Sequence, residues 1–288
     1  GHSARRHEQP PRHREHDRTP RHGDWPRWRK GDLRSDGKTY TCENNHSFDI
    51  SKDGYVNLLM SQQSSLKRHG DDKLMVRSRR DFLNKGYYKA LCDALCDCVK
   101  ANVKSDSVVV DVGCGEGYYT NAIRNSFEGK LFGIDISKDA LRYASKAIKN
   151  AEFSVASAFS LPFKNESADC IINIFAPSAY EDFYRVLKSD GILIKAVPLE
   201  NHLWDLKRAL YDEPYKNKPE KRNDELFELA SFKELEYTIN VADKDDILNL
   251  FRMTPYYYKT GKAEAERLLK LDSLETIVHF GLEIYKKR

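Results

Sequence analysis

Between residues 105 and 200, short apolar runs alternate with amphipathic stretches. "SVVVDV" (107–112), "KLFGID" (130–135), "EFSVAS" (152–157), "ADCIINIF" (168–175) and "GILIKAVP" (191–198) read as buried strands. Residues 117–127, "KDALRYASKAIKN" (138–150) and the region around "SAYEDFYRVLK" (178–188) carry helical spacing. Strands alternating with helices in this way predict βαβ units and a mainly parallel sheet. Upstream, residues 72–102 are helical, with Leu74, Phe82, Leu83, Leu91, Leu95 and Val99 near helical spacing and a break at Gly86. Downstream, "NHLWDLKRALY" is helical. "FKELEYTIN" and "SLETIVHFGLEIYKKR" are long strand candidates, with helices near 243–251 and 262–270 between them. Two late strands after a parallel series predict an antiparallel edge.

The first 60 residues follow other patterns. "KTYTC", a polar turn at "ENN", "SFDIS" and "YVNLL" predict a small β-rich module. Residues 1–32 contain no Val, Ile, Leu or Phe, and hold four prolines and five of the nine histidines. Such a segment does not bury enough apolar surface to fold alone. It reads either as a disordered basic arm or as a stretch foreign to the domain. Three regions follow: 1–32, a module over 33–66, and the alternating body over 67–288.

The formal charge of +4 is unevenly placed: residues 1–30 hold nine Lys and Arg against four acids, and the rest is near neutral. The body therefore lacks the global basic field that is the usual footprint of nucleic-acid binding, and any argument for such a partner rests on local patches. No apolar run approaches the ~20 residues of a membrane helix, no signal-peptide pattern opens the chain, and the six cysteines lack extracellular disulfide spacing. A reducing cytoplasm is expected, with Cys92, Cys96 and Cys98 as half-buried thiols on a helix. Cys42 and His46 have the spacing of two zinc ligands, but structural zinc takes four, and no Cys-x-x-Cys precedes them.

The densest chemistry lies in "VVVDVGCGEGYYT" (108–120). A strand ends at Asp111, and Gly113, Gly115 and Gly117 follow at alternate positions before a helix. Glycine permits a tight turn and close approach of a ligand to the backbone. The next strand ends at Asp135, where a carboxylate can accept both hydroxyls of a ribose. Dinucleotide folds place two residues before their third glycine; here there is one. The pattern is similar to the first motif and partner acid of class I S-adenosylmethionine-dependent methyltransferases. That resemblance implies that the three glycines admit the cofactor's amino-acid end and that Asp111 orders the loop or meets its ammonium. Asp135 would hold the ribose, Ala158 and Phe159 would flank the adenine, and Asn173 would complete the cofactor residues. Phe175 and Pro177, in "NIFAPS" at the end of the fourth strand, would face the substrate.

Longer stretches narrow the resemblance. "YTC…HSFDISKDGYVNLL" (40–59), "GD" with "MVRSRRDFLNKGYY" (70–88), "GIDISKDALRYASK" (133–146), "VASAFSLPF" (155–163), "HLWDLKRALY" (202–211) and "MTPYYYK" (253–259) resemble the bacterial 23S ribosomal RNA (guanine-N1)-methyltransferases. That family includes macrolide (tylosin)-resistance enzymes. The resemblance implies a seven-stranded methyltransferase sheet with an antiparallel edge, preceded by a zinc-ribbon-like module, the two flanking a cleft for an RNA hairpin. It implies S-adenosylmethionine as donor and a guanine N1 as target. Of the family's zinc ligands only the later pair, Cys42 and His46, is kept; either His22 of the arm completes the site or zinc is not bound. Lys67, Arg68, Arg77, Arg79 and Arg80 concentrate charge suited to phosphates. Tyr256, with Tyr257 and Tyr258, offers rings able to stack on an unpaired base. No proton acceptor is assigned; Asp205 and Glu181 are the acids near the cleft segments. Other readings are methylation of a small molecule and a non-catalytic ribosome-assembly factor that binds RNA. A homodimer stays open.

Overall fold

The computed structural model of the chain describes residues 33–59 and 70–288. The expected basic arm, His22, Lys67 and Arg68 lie outside the described residues. Three short strands come first: β1 (Arg34–Ser35), β2 (Thr39–Thr41) and β3 (Ser47–Asp49), paired antiparallel as a separate sheet. β4 (Tyr55–Asn57) leaves that sheet. Helices α1 (Lys73–Asn84) and α2 (Lys89–Asn102) follow, parted at Gly86, whose φ of +85° a helix does not accept.

The alternating body then runs β5 (Val108–Val112), α3 (Tyr118–Ser126), β6 (Lys130–Asp135), α4 (Lys138–Ala147), β7 (Glu152–Val155), β8 (Ala168–Ile174), α5 (Tyr180–Val186) and β9 (Leu187–Pro198). After α6 (Trp204–Leu210) come β10 (Phe227–Val241), α7 (Lys244–Arg252), α8 (Lys262–Leu268) and β11 (Leu274–Lys287). The sheet order is β10-β11-β9-β8-β5-β6-β7-β4. β9, β8, β5, β6 and β7 are mutually parallel, and the β10–β11 hairpin closes one edge antiparallel to β9. The parallel series and the antiparallel edge match the sequence pattern. Parallel strands coated by helices are buried on both faces, which is why β5 and β8 read as continuous apolar runs.

The sheet has eight strands rather than seven. β4 adds to the other edge, parallel to β7, with Tyr55, Val56 and Asn57 opposite Phe153, Ser154 and Val155. Leu33, Tyr40, Cys42, Val56 and Leu58 belong to the same apolar cluster as Val110, Phe132, Ile134 and Phe163 of the body. Each fully buried side chain of this kind contributes about 1.5–3 kcal/mol. The module therefore shares the body's core. A polar latch reinforces the joint: Asp53, at the turn before β4, meets Arg142 Nε at 3.1 Å and Lys146 Nζ at 3.0 Å, both on α4. Lys146 above all holds the Asp53 carboxyl below its usual range.

Candidate functional site

The carboxyl ends of β5 and β6 lie side by side, so Asp111, the glycine turn and Asp135 converge. All three motif glycines have positive φ: +80° at Gly113, +56° at Gly115 and +91° at Gly117. Their surroundings differ. A Cβ on Gly113 would come within 2.3 Å of the Ala176 Cβ, and one on Gly117 would meet Ile148 Cδ1 at 2.9 Å and Ala144 Cβ at 3.0 Å. A Cβ on Gly115 would have only Arg79 Nη1 within reach, at 3.8 Å. Gly113 and Gly117 have protein packed where a side chain would stand, whereas Gly115, itself buried, has only the Arg79 guanidinium there.

Asp135 is pre-oriented. One carboxylate oxygen accepts the Gly115 N–H at 2.9 Å and the other accepts the Ser137 N–H at 2.7 Å. Burial raises its pKa and these amides work against the rise. A carboxylate has about four acceptor positions, so lone pairs remain for two further hydroxyls. Asp111 is 1% exposed and accepts the Thr120 hydroxyl at 2.6 Å. Burial pushes its carboxyl up to about 7, Thr120 resists, and Asp135 and Glu116 add to the rise. Glu116, buried inside the glycine turn, is also raised by burial and held back by Arg79. The sequence reading missed it, although its place between Gly115 and Gly117 was a usable signal.

At the end of β8, Asn173 Nδ2 donates to Val112 O at 3.2 Å and Pro177 O at 3.4 Å, tying the "FAPS" loop to β5. Its Oδ1 is buried without a partner. Phe175 follows with φ +52°, strain that costs about 1–3 kcal/mol. Its ring is 42% exposed, stacked on His202 with centroids 6.5 Å apart and packed on Phe280 at 5.1 Å. Burial drives the His202 imidazole down to about 3, so it is neutral near pH 7, and its Nδ1 accepts the His279 N–H. Pro177 and Phe159 are exposed and Ala158 is half-buried. The spare lone pairs of Asp135, the Arg79 guanidinium over Gly115 and the orphan Asn173 oxygen fit a ligand carrying a ribose and an amino-acid end.

Two expected substrate contacts are placed otherwise. Tyr256 is buried, its hydroxyl donating to Asn217 Oδ1 at 3.3 Å and its ring over the Lys207 ammonium. The exposed ring of the tyrosine run is Tyr258, whose hydroxyl donates to Asp72 Oδ2 at 3.1 Å. Arg79 turns inward, towards the glycine turn, because it lies on the helix face of Met75, Val76, Phe82 and Leu83, all buried. Arg77 and Arg80 point outward: Arg77 pairs with Asp81 and Arg80 lies 4.9 Å over the Tyr143 ring. Asp205 is committed to the Ile277 N–H and to Arg208, and Glu181 is exposed in the first turn of α5.

In the module, Cys42 Sγ and His46 Nδ1 approach to 3.2 Å across the β2–β3 turn, closed by Cys42 N–H to His46 O and Asn45 N–H to Cys42 O. Tetrahedral zinc would set these donors about 3.5 Å apart. Spacing and donor type suit one metal, but the described residues supply only two of four ligands and place Cys42 in no larger donor cluster. The donor set does not complete a closed site there. Cys92, Cys96 and Cys98 are free thiols, the first two buried and the third half-buried.

A parallel sheet of this order, with a glycine turn after its first strand and an acid ending its second, defines a class I methyltransferase. A family model described as "Methyltransferase domain" matches residues 103–254, and one described as "RlmA, N-terminal", a zinc ribbon, matches residues 30–67. YxjB of Bacillus subtilis, provisionally named a 23S rRNA (guanine-N(1)-)-methyltransferase, is 33% identical over 264 residues, 87% of this chain and 92% of that one. The 23S rRNA (guanine(748)-N(1))-methyltransferase of Streptomyces fradiae is 35% identical over 184 residues, 62% of this chain and 64% of that one. The chain belongs to the 23S rRNA (guanine-N1)-methyltransferase family. Among the described residues no helix is long and apolar enough to cross a membrane.

Proposed function

We propose that this protein transfers the methyl group of S-adenosylmethionine to N1 of a guanine in a 23S ribosomal RNA hairpin, in the cytoplasm. The observation that carries the reading is the pre-oriented Asp135 carboxylate beside the Gly115 backbone, over which only the Arg79 guanidinium stands, in a chain of this family. Bound there, S-adenosylmethionine supplies a methyl group on a sulfonium, open to in-line displacement.

The chain's own residues align and shield. Asp135 accepts the ribose hydroxyls with its free lone pairs, and Ala158 and Phe159 flank the adenine. Asn173 Oδ1 and Asp111 face the amino-acid end, where a carbonyl and a carboxylate favour an ammonium. Gly113 and Gly117 serve the site indirectly, by letting "FAPS" and α4 close on the turn. The exposed Phe175 ring offers a stacking surface for the target base beside the donor, held at that angle by His202 and Phe280. Arg77, Arg80 and Tyr258 lie on the outward side, where phosphates and unpaired bases would be met. Fixing base and donor in reacting geometry accounts for much of the acceleration in such transfers.

Primer extension on 23S RNA from cells with and without the gene tests the reading. N1-methylguanine blocks pairing, so a gene-dependent stop at a hairpin guanine is expected, and Asp135→Ala should abolish it. No gene-dependent stop would overturn the proposal.

A further inference from the structure

Arg79 is an arginine where α1 should carry an apolar residue. Met75 and Val76 precede it by four and three positions, Phe82 and Leu83 follow at the same intervals, and all four are buried. Its side chain is 26% exposed, against 75% for Arg77 two residues earlier. The guanidinium is ion-paired to Asp71 and stands over Gly115, the motif glycine against which no other group packs where a side chain would stand. Burial works against its charge, and Asp71, Glu116 and Asp135 outweigh that and raise its pKa.

The partner of Arg79 is itself fixed. Asp71 O accepts the Ser137 hydroxyl at 3.0 Å. Gly70, at φ +83°, packs so closely that a Cβ would stand 2.7 Å from Ile136 Cγ2 and 3.3 Å from Ser137 Cβ. The segment before α1 is therefore latched to the turn that follows Asp135. One loop thus sets both the ribose acid and the arginine.

We propose that Arg79 is the anchor for the methyl donor's carboxylate, with Asp71 holding the guanidinium over Gly115 until that carboxylate replaces its own. The proposal rests on the donor site argued above. Charge favours this occupant over RNA. A phosphodiester would bring an uncompensated negative charge among Asp71, Glu116 and Asp135. The donor's amino-acid end is a zwitterion: its carboxylate takes the place of Asp71 at the guanidinium, and its ammonium enters where carboxylates already stand. A planar guanidinium also matches a carboxylate in two-point geometry, which an ammonium does not.

The test is calorimetric titration of the full chain with S-adenosylmethionine and with decarboxylated S-adenosylmethionine. The second compound keeps nucleoside, sulfonium and ammonium but has no carboxylate. The wild type should prefer the first by about tenfold to hundredfold, the worth of a charge-assisted hydrogen-bonded pair. Arg79→Gln should bring that ratio towards unity by weakening S-adenosylmethionine alone, and Arg79→Lys should recover part of it. An unchanged ratio in Arg79→Gln would overturn the proposal. Equal weakening of both compounds would overturn it too, since that marks a role in folding only. Loss of RNA-hairpin affinity with the ratio intact would make Arg79 a phosphate contact instead. A wild type that binds neither compound would overturn the donor-site reading, and this proposal with it.

Discussion

The glycine turn after β5 and the Cys42–His46 turn between β2 and β3 are built in opposite ways. In the first, local polar groups close the structure: Asp135 takes two backbone amides, Thr120 bonds Asp111, and two glycines are fitted against α4 and the "FAPS" loop. In the second, strands of two and three residues surround a pair of metal-type donors, and a sheet of that size is marginal in water. It is held by what lies next to it: β4 on β7, the shared apolar cluster, and Asp53 on α4. The glycine turn is thus closed by groups of the methyltransferase domain itself, whereas the N-terminal sheet depends on docking to that domain.

Three measurements would sharpen or break that contrast. The largest effect is expected at Asp111. Its folded pKa, about 7, lies above the ordinary 3.8, so its contribution is full below about pH 4 and is lost as pH rises through 7. The ligand-free protein should therefore lose up to about 4 kcal/mol between pH 4 and pH 8 from this group. Asp111→Asn should remove that component from the chemical-denaturation profile; parallel profiles would show that the carboxylate is not strained by burial.

The glycines come next. Gly117→Ala should cost about 3 kcal/mol in unfolding free energy, from φ +91° and overlap with Ala144 and Ile148. Gly115→Ala should cost about 1 kcal/mol, because φ +56° is an allowed left-handed value. It should nonetheless weaken donor binding at least about tenfold by filling the close approach to the backbone. Equal stability losses at the two positions would erase the distinction between a packing glycine and a ligand-facing one.

At the joint the effect on stability is expected to be smaller than at Asp111 or Gly117. Val56→Ala should lower unfolding free energy by about 2 kcal/mol. It should leave the donor dissociation constant unchanged while reducing methylation of the RNA hairpin. If donor binding fell in parallel, the module and the glycine turn would be one cooperative unit rather than two constructions.

Much of this was readable in the chain. The strand-to-turn joints near Asp111 and Asp135 follow from apolar runs that give way to an acid and then to glycine or polar turn residues. The break at Gly86 and the family stretches were readable for the same reason: each is encoded within a few neighbouring residues. Arg79 could have been placed by spacing alone, since it shares a helical face with Met75, Val76, Phe82 and Leu83. Tyr256 and Tyr258 could not be told apart, because "PYYYK" carries no periodicity that marks which ring is turned inward.

The amino-acid sequence by itself determined the alternating fold, the glycine turn and its partner acid, because these depend on local periodicity and on the backbone freedom of glycine. Tertiary structure alone decided what packs against each glycine of the turn. It also decided that "YVN" becomes the eighth strand of a sheet whose nearest member lies almost a hundred residues away. Those outcomes rest on contacts between distant segments, and a pattern of neighbouring residues carries no record of what will pack against it.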